Sequence, residues 1–265
     1  MGEFYKNHLL RPFRKYKGRT PQIASHPSEP SFRLTKEEVS QMVFMTPRNY
    51  HESRNQATIR EDYRCIATRI LDKTYARTLR MAGPMVGEYV EALECCHIFA
   101  ESIDTDIDGC ENSKNRWTLL KRLGYDDVVS NFATSDKTHS LENVMMVTRR
   151  VHDDIDTLDL WFEPIENVPN RYRMCSIWAL PYGLQDGHEV TFQSADPRLP
   201  LPNPHYLAIH ATCCRVSHLS GTSGLFAELE KDLEANPDPT IESAGFARAL
   251  SARLENLHLT LVKHH

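Results

Sequence analysis

Leu93-Glu94-Cys95-Cys96-His97-Ile98-Phe99 is a short, mostly apolar run with a single histidine near its end. Period-two alternation predicts a strand here, with Leu93, Cys95, His97 and Phe99 on one face. A histidine set among such neighbours is held in one orientation, as a general base requires. The second block is Leu141–Pro164, L-E-N-V-M-M-V-T-R-R-V-H-D-D-I-D-T-L-D-L-W-F-E-P. Asn143–Val147 reads as a second strand, and Thr148 is placed to cap the helix that follows. On that helix His152 and Asp156 are four residues apart and share a face, while Val151, Ile155 and Leu158 share another. The polar face suits a metal, and the apolar face suits packing on the strands. A competing structural reading exists for each residue: a strand histidine as a satisfied core group, and a helical His/Asp pair as a surface contact. The order of the three residues and the nine-residue step from Asn143 to His152 favour a joint role.

Composition sets the class. With 265 residues, 40% apolar and 25% charged, the chain is long enough for one large domain or two small ones with an ample core. No window approaches the roughly 18 apolar residues of a membrane helix, and the first residues have no apolar signal core. The seven cysteines include the adjacent pairs Cys95-Cys96 and Cys213-Cys214, a pattern of buried thiols and not of a disulfide framework. An intracellular setting, cytoplasm or nucleus, is therefore expected, with no membrane partner.

The net charge of −5 does not favour a nucleic-acid binder, but it is unevenly placed. Residues 1–24 carry Lys6, Arg11, Arg14, Lys15, Lys17 and Arg19 against Glu3 alone. Such an arm suits contact with phosphates; it also suits a plain solvated terminus.

Organisation follows from punctuation. Residues 1–33 hold four prolines and little periodicity, and are expected to be a disordered basic leader. Residues 34–56 are expected to be a short helix, opened by the Thr35–Glu38 capping box and ending near Phe44, followed by loop over 46–56. Residues 57–233 form the ordered body, and 234–265 a Pro/Asp linker with a helical tail. Between the motif strands, Arg116–Gly124 reads as a short helix with a glycine end. Downstream, Tyr172–Leu180 and Glu189–Phe192 read as strands and His205–Leu219 as a buried helix. Leu207, His210, Cys214 and His218 fall near one stripe of that helix, either a core face or a metal-ligating one.

The triplet His97, Asn143 and His152 resembles the HNH nuclease motif, a ββα-metal site. Glu61-Asp62-Tyr63-Arg64-Cys65-Ile66-Ala67-Thr68 looks like the R-D-x-x-x-C-x-x-T-G opening of many HNH domains, with Arg69 where that pattern has glycine. His152–Asp156 is similar to the family's H-x-x-F-D, with Ile155 in place of phenylalanine. Leu160–Pro164 and His210–Gly221 resemble a group of fungal HNH-domain proteins, so the likeness spans roughly 57–230. It implies an α+β fold: a ββα core with additional strands and a C-terminal helical cap. It also implies His97 as general base, Asn143 as the residue that orients the base-bearing loop, and His152 as a metal ligand. Asp156 would be a ligand or the outer partner that fixes the histidine tautomer. The implied cofactor is a divalent ion (Mg, Mn, Ni or Zn), the implied partner DNA, and the implied activity metal-dependent cleavage of DNA phosphodiesters.

One departure stands out. Many HNH nucleases place Asp or His before the base as a further ligand, whereas this chain has Cys96, a soft thiol poorly suited to magnesium. Either the metal has fewer protein ligands, or it is zinc, or it is absent. Two other functions stay open for that reason: the same fold reused on a small molecule as a cyclase, isomerase or hydrolase, and a catalytically silent interaction module. Two further patterns are weaker. Asp104–Gly109 matches the start of an EF-hand loop but has Asn115 at the twelfth position. Cys65, Cys95, Cys96 and Cys110 form a conceivable zinc set, although adjacent strand cysteines point to opposite faces.

Overall fold

The computed structural model describes residues 46–80 and 89–99, six positions between 121 and 130, and residues 137–220. The expected leader, the helix after Thr35, the EF-hand-like loop and the tail lie outside them, as does most of the helix at 116–124.

Where loop is expected over 46–56, the chain is helical: α1 spans Tyr50–Arg60. The Asn49 side chain accepts the Glu52 amide hydrogen at 2.9 Å, and Glu52 Oε2 accepts from the Arg48 amide at 2.9 Å. This reciprocal cap satisfies donors that the first turn leaves orphaned. The buried face of α1 is Ser53, Gln56, Ala57, Thr58 and Arg60, so the helix has no apolar stripe for periodicity to detect.

After α1 the chain turns through Cys65–Ile70, closed by hydrogen bonds from the Cys65 amide to the Ile70 carbonyl and from the Arg69 amide to the Cys65 carbonyl. Arg69 has φ of +60°, the left-handed region where glycine is favoured. Strand β1 (Leu71–Asp72) then leads into helix α2 (Lys73–Arg80) and pairs in parallel with β2 (Val90–Glu91). Asp72 ties these pieces together. Its Oδ1 accepts from the Thr74 and Tyr75 amides at the start of α2, and its Oδ2 from the Leu93 amide.

Leu93 begins β3 (Leu93–His97), which pairs antiparallel with β4 (Val144–Thr148), His97 opposite Val144 and Leu93 opposite Thr148. The strands are those expected, except that β3 stops at His97 and Asn143 sits in a single 3-10 turn, Leu141–Asn143, before β4. Helix α3 (Arg149–Asp156) follows directly. Thr148 occupies its N-cap position, but its side chain makes no capping hydrogen bond. Val151, Ile155 and the following Leu158 are at most 2% exposed and pack into the core, as their spacing implies.

A second, three-stranded antiparallel sheet follows, in the order β5 (Leu160–Pro164), β6 (Arg171–Ser176) and β7 (Glu189–Thr191). Beta-6 ends at Ser176, short of the expected Leu180. Phe162, Tyr172 and Phe192 pack edge to face and tilted across this sheet, with centroids 4.7 to 6.5 Å apart. Helix α4 (Pro204–Leu219) is capped by Asn203 and packs on β5. The fold is mixed α+β.

One buried cation fastens α1 to the ribbon. Arg60 is fully buried, and its guanidinium donates to the carbonyls of Leu141, Val144 and Pro200 and to Glu61 Oε1. Glu61 Oε2 accepts from the Met146 amide at 2.9 Å. Burial pushes the Glu61 carboxyl up to about 7, against the opposing pull of Arg60 and the Met146 amide. The pair thus holds the turn and strand that carry Asn143.

Candidate active site

Asn143 is fully buried, and all its amide capacity is turned on the backbone. Its Nδ2 donates to the carbonyls of Phe99 (3.0 Å) and Thr138 (2.8 Å), and its Oδ1 accepts from the Phe99 amide (2.9 Å). Its own carbonyl accepts from the Ile98 amide at 2.8 Å. The two residues that follow His97 are therefore locked to the turn before β4.

His97 is 4% exposed. Its Nε2 lies 3.3 Å from Nδ1 of His139, so one ring donates and the other accepts according to tautomer. The Tyr50 ring of α1 flanks it, with centroids 6.1 Å apart. His139 is positioned by Ser53, whose hydroxyl donates to the His139 carbonyl at 2.5 Å. Sequence spacing gives no sign of this second histidine. Its one cue is its place four residues before Asn143.

The other face of β3 turns to α3. Strand alternation puts Glu94 and Cys96 together there, on the opposite side from Cys95 and His97. His152 meets that face: Nδ1 lies 2.8 Å from Glu94 Oε2, and Nε2 lies 3.5 Å from Asp156 Oδ2. Nε2 is buried and has no hydrogen-bond partner. Cys96 Sγ, a His152 ring nitrogen and an Asp156 oxygen all lie within 4.8 Å of one another, the one such ligand group among the described residues. The chain's own donors therefore fit a metal here, because a buried imidazole nitrogen that makes no hydrogen bond faces a thiol and a carboxylate. Burial works against a charge on His152, but Cys96, Glu94 and Asp156 outweigh it and push the imidazole up to about 10.

The structure thus gathers His152 and Asp156 as expected and adds Cys96 and Glu94, which the triplet omits. His97 and Asn143 form a neighbouring group at the end of β3, with His139. The zinc set built on Cys65, Cys95, Cys96 and Cys110 does not assemble among the described residues: Cys96 groups with His152 and Asp156 and not with Cys65 or Cys95, and Cys110 lies outside the described residues. The stripe on α4 is a core face. His210 is buried, with its Nε2 on the Ile155 carbonyl (3.2 Å) and Nδ1 at 3.6 Å from Cys214 Sγ, and His218 Nε2 bonds the Leu158 carbonyl at 2.8 Å. These contacts stitch α4 to the end of α3. Among the described residues, no helix is long and apolar enough to cross a membrane.

Compared with protein-family models, with curated proteins and with solved structures, the chain matches none.

Proposed function

We propose that this chain is a metal-dependent phosphodiesterase acting on DNA through an HNH-like ββα unit. The observation that carries this reading is the Asn143 clasp, which holds the segment after His97 to the ribbon on which α3 converges. An antiparallel pair followed at once by a helix, with a histidine ending the first strand and ligand-type side chains on the helix, is the arrangement the reaction needs. The mixed α+β fold is compatible with that pattern, and the chemistry rests on the site alone.

His97 acts as general base and takes the proton of the attacking water. His139, hydrogen-bonded to it, accepts or returns that proton through the second ring. Asn143 touches no substrate in this reading; it positions the base. His152 and Asp156 would hold a divalent ion, which supplies Lewis-acid stabilisation of the phosphate charge. The negative net charge means that backbone contacts must come from local basic groups, and the exposed Arg149 and Arg150, paired with Asp153 and Asp154, open the helix that carries His152.

The test is cleavage of supercoiled plasmid by the full chain with Mg²⁺, Mn²⁺, Ni²⁺ or Zn²⁺. Nicking that depends on metal and falls by about 10²- to 10⁴-fold in His97→Ala supports the proposal. No cleavage with any of the ions, or cleavage that survives His97→Ala, overturns it.

A further inference from the structure

We infer that Cys96, His152 and Asp156 bind a thiophilic ion of the zinc(II) class through one sulfur, one nitrogen and one oxygen, with Glu94 as the outer carboxylate that sets the histidine. The inference rests on the metal-binding half of the proposed function, not on cleavage.

Three observations point the same way. The ligand atoms lie within 4.8 Å of one another without an ion. Zinc bonds of about 2.3 Å to sulfur and 2.0–2.1 Å to nitrogen or oxygen impose edges of about 3.3–3.6 Å, so a small contraction closes the set. Second, His152 Nε2 is buried and makes no hydrogen bond, 3.5 Å from Asp156 Oδ2, while Nδ1 is engaged by Glu94 at 2.8 Å. With Nδ1–H donated to the carboxylate, loss of the Nε2 proton on binding leaves a lone pair that faces Cys96 and Asp156. That is the orientation a metal-ligating histidine needs, and the carboxylate also raises its basicity. Third, Cys96 is fully buried on a strand, where it has no access to bulk solvent and reactivity at the surface is not its use.

The chemistry then decides the ion. Magnesium and calcium demand several hard oxygen donors, and this group offers one carboxylate beside a thiol and an imidazole. Thiolate with imidazole selects Zn²⁺, and Co²⁺ or Cd²⁺ in its place. Binding releases the thiol proton and the His152 Nε2 proton to solvent as the sulfur–metal and nitrogen–metal bonds form, so no oxidant or reductant is involved. Three protein donors leave a fourth position, the pattern of a catalytic and not of a closed structural site. Cys96 therefore turns from a departure into the residue that determines which metal the site takes.

The experiment is metal binding by the full chain, read without activity. One equivalent of Co²⁺ should give a thiolate-to-cobalt charge-transfer band in the near ultraviolet. Zinc-edge X-ray absorption should show one sulfur neighbour at about 2.3 Å with nitrogen and oxygen making up the rest. Large excess Mg²⁺ should not displace the ion. Cys96→Ser should abolish the band, and Glu94→Gln should keep it while weakening Zn²⁺ binding by about 10- to 100-fold. If Cys96→Ser does not fold, the wild-type sulfur count and the Glu94→Gln affinity decide. A bound ion with no sulfur neighbour, a band that persists in folded Cys96→Ser, or unchanged affinity in Glu94→Gln overturns the inference. A protein that binds zinc through sulfur yet cuts no DNA keeps this inference and loses the nuclease reading.

Discussion

Asn143 and Phe99 clasp each other at two points: the side-chain amide donates to the Phe99 carbonyl at 3.0 Å and accepts from the Phe99 amide at 2.9 Å. This mimics a strand pair just where β3 has ended and makes the backbone beyond His97 part of the ribbon. Asn143→Ala leaves the Phe99 amide and two carbonyls, those of Phe99 and Thr138, without these partners in a dry site. The expected cost is about 2–4 kcal/mol by denaturant unfolding, with the Phe99 amide losing protection in hydrogen exchange. A variant as stable as wild type, with Phe99 still protected, would show that the clasp does not organise the loop.

Arg69 sits exposed at φ +60°, where an L side chain is strained. Arg69→Gly should raise stability by about 0.5–1 kcal/mol, because the strain relieved exceeds the added freedom of the unfolded chain. Arg69→Ala, which keeps the Cβ, should gain nothing. Equal effects of the two substitutions in a thermal or urea melt would contradict this account of the turn.

His210 supplies a pH dependence. Burial, countered by the Ile155 carbonyl, pulls its imidazole down to about 4 from an ordinary 6.5. The unfolded chain binds the proton first as pH falls, so the contribution is whole above pH 6.5 and is lost as pH drops toward 4. The shift corresponds to a loss on the order of 3 kcal/mol across that window. His210→Leu should remove much of the slope of unfolding free energy between pH 6.5 and 4, whatever it does to stability at neutral pH. An unchanged slope would mean that His210 titrates normally in the fold.

Arg60 and Glu61 make the complementary case. Arg60→Met removes the cation beside a carboxyl already raised to about 7 and frees three carbonyls from their donor. A loss of about 3–5 kcal/mol is expected. Without Arg60 the folded Glu61 holds its proton to still higher pH, so the native state binds more protons than the unfolded one and stability falls as pH rises. The deficit should therefore be larger at pH 8 than at pH 6. The reverse trend in urea unfolding at the two pH values would exclude Glu61 as the source.

How much of this was legible in the sequence depends on what each residue does locally. Beta-3, β4 and α3 announce themselves because alternation and the Val151–Ile155–Leu158 stripe are local signals of burial. Alpha-1 is hidden, because it is held by hydrogen bonds from Ser53 and Arg60 to distant carbonyls and not by an apolar face. Only the Asn49-x-x-Glu52 cap betrays it. The left-handed turn at Arg69 is visible only against a pattern that has glycine there. Within the site, alternation counted from His97 selects Cys95 and leaves Cys96 aside. The same alternation counted from Cys96 pairs it with Glu94, and α3 then covers that face. His139 is the least legible member, since its distance of 42 residues from His97 carries no periodicity.

The most direct measurement of the central claim is plasmid nicking by zinc-loaded protein, comparing wild type with His97→Ala at equal metal occupancy. The account predicts nicking by wild type and a loss of about 10²- to 10⁴-fold in the variant, with metal content unchanged because His97 is not one of the three ligand residues. Undiminished nicking by the fully loaded variant, or none by loaded wild type, would contradict it.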